Sequence, residues 1–414
     1  MIFEIVLFLS LVLILRHWLT RPKGLPPGPL VYPIFGSGLT FQMKKVEYYQ
    51  KKYGDVFMLE FAGVKLLYIC DYKLMKDGLG RTEFSDRPNL EGFHFLTDGR
   101  ESGRRYDLHD EEVCDFIKIM KRLQEDAFGF FILETCPILK KILPKYVINK
   151  FFRMEILDHT VAAAKKLFGK TIEARKAELD INHAENVIDE YLIQMNDKTE
   201  IAEFFNEEDL MTVIFDLFSA GFETTSNVLR WMILYAAKYP DVQKRVQEQI
   251  DEVVPRGEFP TNQHKSRLPL LEAFIHEVLR VSSLLPYGVL HATGADTHLA
   301  GYLVPKGTLV FAVSGFSHQD PRYWESPQKF KIERFLDEEG KFIPHKEGFT
   351  PFSIGKRNCL GESLARMELS IFSAALFQNF TFSPLEGREI DLTPQNAPLV
   401  NLAQDQGILI SARN

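Results

Sequence analysis

The sequence predicts a mainly α body with a small β portion, carried behind an N-terminal membrane-spanning helix. Three observations predict it. Apolar residues recur mostly at helical spacing from about residue 107 to 250. Strand patterns are confined to residues 56–70 and 298–313. An almost unbroken apolar run opens the chain.

That run, Ile5 to Leu15, is interrupted only by Ser10, and Ile2, Phe3, Trp18 and Leu19 extend it to about the length that spans a bilayer. Arg16, His17, Arg21 and Lys23 follow it, and only Glu4 precedes it, so the positive-inside rule places the body on the cytoplasmic side. A cleaved signal peptide would carry basic residues first and small residues at its end, and neither is present. The run Leu25-Pro-Pro-Gly-Pro29, followed by Pro33, denies helix and reads as a stiff linker. The expected organisation is an anchor at 1–20, a linker at 21–36 and a catalytic body at 37–414.

Within the body, residues 56–70 read as two strands turning at Ala62-Gly63. Long helices are expected around 155–178, 207–238 and 240–253, with another at 268–282. Strand returns around 298–313, and a last helix should begin just after Cys359. There is no internal repeat.

Composition narrows the function classes. Among 414 residues, 45% are hydrophobic and 25% charged, which is globular. The net charge of -7 argues against nonspecific nucleic-acid binding. The 34 phenylalanines, against three tryptophans, suit an interior that holds an apolar ligand and equally an ordinary core. The four cysteines, Cys70, Cys114, Cys136 and Cys359, are widely spaced with no C-x-x-C pair, so neither a zinc site nor a disulfide scaffold is indicated.

Four constellations carry chemistry. In the first, Gly355 and Gly361 flank Cys359, permitting turn geometry and close approach to a flat ligand. A helix starting after the cysteine would aim unpaired N–H groups at it and favour thiolate. Arg357, two residues away, can bind a carboxylate bidentately. In the second, Ala220-Gly221-Phe-Glu223-Thr224-Thr225 puts an acid and an alcohol among apolar helix neighbours, either as a solvated face or, given that Gly221 costs the helix about 1 kcal/mol, where something approaches closely. In the third, Glu277 and Arg280 share a helix face at i,i+3, as an ordinary surface pair also would. The fourth is a histidine, His291, ahead of the Gly301 strand.

The run Phe352-Ser-Ile-Gly355-Lys-Arg357-Asn-Cys359-Leu-Gly361 resembles the haem loop F-x-x-G-x-R-x-C-x-G of the cytochrome P-450 family, and the likeness extends along nearly the whole chain to the animal microsomal group. The resemblance implies the family's fold of long helices around a haem b, with Cys359 as the axial ligand of the iron. Phe352, Gly355, Arg357 and Gly361 would shape or hold the cofactor, with His291 at a propionate. Glu223 and Thr224 would hold a water and relay protons for O–O cleavage. Glu277, Arg280 and Arg334 would form a buried structural network. The implied activity is insertion of one oxygen atom from O2 into an apolar small molecule such as a steroid, lipid or xenobiotic, with electrons from NADPH-cytochrome P-450 reductase at the endoplasmic reticulum membrane.

The pattern breaks at one place. After Asp98-Gly99-Arg100 the chain passes almost at once to Ser102-Gly-Arg104-Arg105, which resembles a segment much further along in relatives. A block of roughly 70 residues, carrying the W-x-x-x-R motif of a propionate-binding helix, is expected to be missing near 99–104. Two other readings follow: a haem-binding protein without turnover, and a truncated product without function.

Overall fold

The computed structural model describes residues 21–32, 36–37, 46–61, 63–88, 115–119, 122, 133, 142–152, 155–196, 205–395 and 399–413. The expected anchor and the expected break near 99–104 lie outside the described residues. Among the described residues no helix is long and apolar enough to cross a membrane. The chain divides into two compact units, one formed by Met1–Pro88 with Asn227–Asn414, the other by Asn89–Ser226.

The first unit holds the small β portion. Strands β1 (Val56–Phe61) and β2 (Val64–Ile69) pair antiparallel around Gly63, whose φ of +88° is open to glycine at no steric cost. β2 then pairs parallel with β6 (Leu309–Ala312), and β6 antiparallel with β3 (His291–Ala292), giving the order β1-β2-β6-β3. Aromatic rings bind the strands together: Phe57 stacks on Tyr68 at 4.9 Å between centroids, and Tyr68 on Phe311 at 4.9 Å. Among the described residues two further antiparallel pairs form, the hairpin β4 (Thr297–Leu299) with β5 (Tyr302–Val304), and β7 (Phe380–Pro384) with β8 (Ile408–Ala412).

Among the described residues the helices of this unit are α1 (Val46–Tyr53), α2 (Tyr72–Leu79), the end of α6 (Glu207–Lys238), α7 (Pro240–Val253), α8 (Pro269–Ser282), the short α9 (Ser314–Gln319) and α10 (Glu362–Asn379). Asp71 caps α2, accepting from the Leu74 N–H at 3.0 Å. Proline at the first turn starts both α7 and α8, where its missing N–H costs nothing. α8 is buried along almost its whole length and packs Phe274 into a core with Trp231, Trp324, Phe335, Phe349 and Phe377.

The second unit contains α3 (Lys145–Phe152), α4 (Glu155–Glu178), α5 (Val187–Asn196) and the first part of α6. Its core gathers Phe116, Phe168, Leu192, Ile214 and Phe215. Buried Asp189 is held by Arg175 through bonds of 2.9 and 2.5 Å, and further accepts from the Glu185 N–H at 3.0 Å. The helices expected at 155–178, 207–238, 240–253 and 268–282 all form, as does the helix after Cys359.

Candidate active site

The cysteine loop is built from the first unit alone. Between Phe349 and the start of α10 the chain passes over the end of α2. There the Lys356 N–H donates to the Leu79 carbonyl at 3.2 Å. Gly355 makes the crossing possible: its φ is +86°, and a Cβ added there would lie 2.2 Å from the Leu79 oxygen. The Cys359 N–H donates to the Phe352 carbonyl at 2.9 Å, folding the loop back on itself. Gly361, by contrast, has an ordinary φ of -84° at the helix N-cap, and what it leaves is room beside Cys359 Sγ, 4.0 Å from where a Cβ would be.

Cys359 is exposed, and the next residue, Leu360, is 76% exposed. The expected depression of its thiol is not found. Loss of water around Sγ pushes the pKa up and the Glu362 carboxylate adds to this, while the Gly361 N–H pulls the other way. The cap donor predicted from the helix start is present; it is outweighed.

Three cationic or potentially cationic side chains stand near the loop. Arg357 is exposed, and its Nε donates to the Ser85 carbonyl at 3.0 Å. Arg87 Nη1 donates to the Leu290 carbonyl at 2.8 Å. His291 is buried on β3, with Nδ1 3.0 Å from the Phe84 carbonyl. Burial pulls Arg87 below its ordinary value, and the charge of Arg357 pulls it further. His291 is lowered to about 4, first by burial, then by Arg87, with the Phe84 carbonyl opposing and Arg357 contributing least. Among the described residues neither Arg87 nor Arg357 forms a salt bridge with a carboxylate. Two guanidiniums that repel each other over a buried imidazole make a place where an anion is welcome. Arg87 is a site residue the sequence did not reveal: Asp86-Arg87-Pro88 has no telling spacing, and only the tertiary fold brings it to Arg357 and His291.

The network behind the loop is buried. Glu277 and Arg280 are both 0% exposed and bond bidentately at 2.8 and 2.7 Å. The Lys331 N–H and Arg334 Nε also donate to Glu277, at 2.9 and 3.3 Å. Arg280 reaches the carbonyls of His318 and Pro327 at 2.7 and 2.9 Å. The surface-pair reading of Glu277 and Arg280 is thereby excluded.

In the second unit, Glu223 and Thr224 lie inside α6, both half-buried. Thr224 Oγ1 donates to the Ala220 carbonyl at 2.6 Å, leaving its lone pairs to accept. Glu223 borders a crevice lined by Phe116, Ile117, Phe218, Ser219 and Phe222.

The loop thus presents an exposed cysteine at a helix start, near arginines that pair with no carboxylate among the described residues. The cytochrome P-450 family matches residues 26–102 and 101–409. The chain is 34% identical to cytochrome P-450 2L1 of Panulirus argus, over 89% of this chain and 90% of that one. It is 30% identical to cytochrome P-450 2J3 of Rattus norvegicus, over 94% and 91%. It is 30% identical to cytochrome P-450 2B4 of Oryctolagus cuniculus, over 99% and 100%. This last alignment runs over 490 positions against 414 residues here, so about 80 positions face no residue of this chain.

The chain belongs to the cytochrome P-450 family, the haem-thiolate monooxygenases that act on apolar substrates. Its cofactor is haem b, and O2, a substrate and an electron-donating redox partner take part in the reaction. The residues present fit that cofactor: Cys359 is reachable, and propionate carboxylates would answer the charges of Arg87 and Arg357, which pair with no carboxylate among the described residues.

Proposed function

We propose that Cys359 is the axial thiolate of the haem iron and that this chain catalyses monooxygenation. The observation that carries the reading is the loop itself, in which Gly355, the Phe352 carbonyl and the α10 N-terminus hold an exposed cysteine near Arg357 and Arg87, which pair with no carboxylate among the described residues. Coordination by a metal deprotonates a thiol outright, so the raised pKa of free Cys359 is no obstacle. Arg357 and Arg87 would hold the propionates, with His291 beside them as a donor once a carboxylate's charge has brought it to imidazolium, while Phe352, Gly355 and Gly361 shape the loop. When bound, the haem supplies the redox chemistry, in which O2, two electrons and two protons yield one inserted oxygen atom and one water.

Glu223 and Thr224 handle protons. The Thr224 hydroxyl, already donating to Ala220, accepts a hydrogen bond from a water, and the Glu223 carboxylate exchanges a proton with that water. Glu277, Arg280 and Arg334 hold the scaffold. Exposed Lys356 and Arg357 offer positive charge to an acidic reductase surface, in keeping with NADPH-cytochrome P-450 reductase as electron donor. Residues 1–20 anchor the chain in the endoplasmic reticulum membrane with the body facing the cytoplasm.

We further propose that an internal block is missing near residues 99–104. The family match breaks into two segments there, and about 80 aligned positions of the rabbit relative have no counterpart. That gap also favours a second reading, a truncated product without turnover. Reconstitution with the reductase and NADPH separates the two. Oxidation of apolar substrates that is lost in Cys359→Ser supports the enzyme. No haem, or haem without substrate-dependent NADPH consumption, supports the truncated product. Glu223→Gln should then lower the rate of product formation by about a hundredfold.

A further inference from the structure

We propose that His276 is a positioning residue for the cysteine loop, acting through Arg366. This rests on the haem-thiolate reading of Cys359. His276 is buried on α8, among the rings of Phe342 at 4.5 Å, Phe349 at 5.3 Å and Phe335 at 5.4 Å. Its Nδ1 faces the Glu272 carbonyl at 2.7 Å. A carbonyl can only accept, so Nδ1 carries the proton and Nε2 a lone pair. Nε2 lies 2.6 Å from Arg366 Nη1, which can only donate. A neutral imidazole, fixed in one tautomer, is therefore the acceptor for a guanidinium.

Arg366 in turn touches both ends of the cysteine loop. Its guanidinium lies 4.8 Å from the centre of the Phe352 ring, and Phe352 supplies the carbonyl that accepts the Cys359 N–H. Its Nε donates to Glu362 Oε1 at 2.8 Å. Glu362 opens α10, its N–H donates to the Cys359 carbonyl at 3.4 Å, and its charge bears on the thiol. Of the other titratable groups nearby, Lys265 lies 3.7 Å from the Glu272 carboxylate and 3.5 Å from the Arg366 carbonyl, and the charges of Lys265 and His345 both bear on His276. Burial and the Arg366 charge keep His276 unprotonated, at about 3. Remove the acceptor, and the guanidinium loses one of the three contacts that orient it. Phe352 loses its cation, and the Glu362 carboxylate faces Cys359 less compensated.

The test compares purified, haem-loaded wild type with His276→Phe, which fills the aromatic cage without an acceptor, and His276→Gln, which restores one. The readouts are the haem reduction potential and the rate at which the reduced CO complex loses its thiolate-type band. His276→Phe should shift the potential to more negative values and speed band loss severalfold. His276→Gln should return both towards wild type, and Arg366→Gln should change both by less when added to His276→Phe than when made in wild type. Wild-type potential and band lifetime in His276→Phe, or effects of the two substitutions that simply add, would overturn the proposal. Should His276→Phe not fold, His276→Leu against His276→Gln carries the same test: both readouts shifted in His276→Leu and restored in His276→Gln support the proposal, and wild-type values in His276→Leu overturn it. A wild type without any thiolate band would instead remove the underlying reading of Cys359.

Discussion

Gly355 is the residue on which the loop turns. Alanine there would need a left-handed backbone and would push its Cβ against the Leu79 oxygen. Gly355→Ala should cost about 1–3 kcal/mol from backbone strain alone, and the clash with backbone atoms adds to this. Measured as urea midpoint and haem content per chain, both should fall; unchanged haem content would mean the crossing is not needed. Arg87 makes the complementary case for charge. Arg87→Gln should release haem to apomyoglobin about ten to a hundred times faster, since one hydrogen bond to a charged partner is worth about 1.5–3 kcal/mol. Arg81, exposed and already paired with Asp77, is the control and should leave the rate alone when changed to Gln.

The sequence disclosed these residues unevenly, and for physical reasons. Cys359, Gly355 and Arg357 lie within five positions, so one local pattern holds them all. Arg87 and His291 are brought to that loop only because residues 84–86 lie alongside β3, with the Ala292 N–H donating to the Asp86 carbonyl at 2.7 Å. His276 and Arg366 are 90 residues apart and meet only through helix packing. The thiol of Cys359 went against expectation because a helix N-terminus was weighed without the desolvation that the same fold imposes.

At the scale of elements, α8 shows how a helix buried on nearly every side carries charge. Glu277 and Arg280 neutralise each other and use backbone carbonyls and the Lys331 N–H to satisfy what remains. Breaking such a pair leaves an uncompensated buried charge, so Glu277→Ala should destabilise by about 3–5 kcal/mol. Urea denaturation should show this as a lowered midpoint, and a change below about 1 kcal/mol would place the network outside the load that holds α8. Helix boundaries were legible because these helices are long and strongly periodic: α4, α6 and α7 span the stretches the pattern indicated. The burial of Glu277 was not, since an i,i+3 pair looks the same on a surface.

For the whole molecule, two histidines link stability to acidity. His276 and His318 are each lowered from 6.5 to about 3, by burial first and by a neighbouring arginine second. His318 accepts the Thr350 N–H at 2.9 Å, which fixes it as neutral. The unfolded chain binds protons on both below about pH 6.5 while the folded chain does not, so stability is full above that value. It is lost progressively as pH falls from about 6.5 towards about 3, by up to about 1.4 kcal/mol per pH unit for each group. Urea midpoints should therefore drop between about pH 7.5 and about pH 5. His318→Gln should flatten the slope by about one proton.

The central claim is that Cys359 binds haem iron as thiolate. Its most direct measurement is the absorption spectrum of the purified, dithionite-reduced protein under carbon monoxide. The account predicts the red-shifted band that marks thiolate ligation, and its complete loss in Cys359→Ser. A band at the position typical of histidine ligation, or a thiolate band that survives in Cys359→Ser, would contradict it.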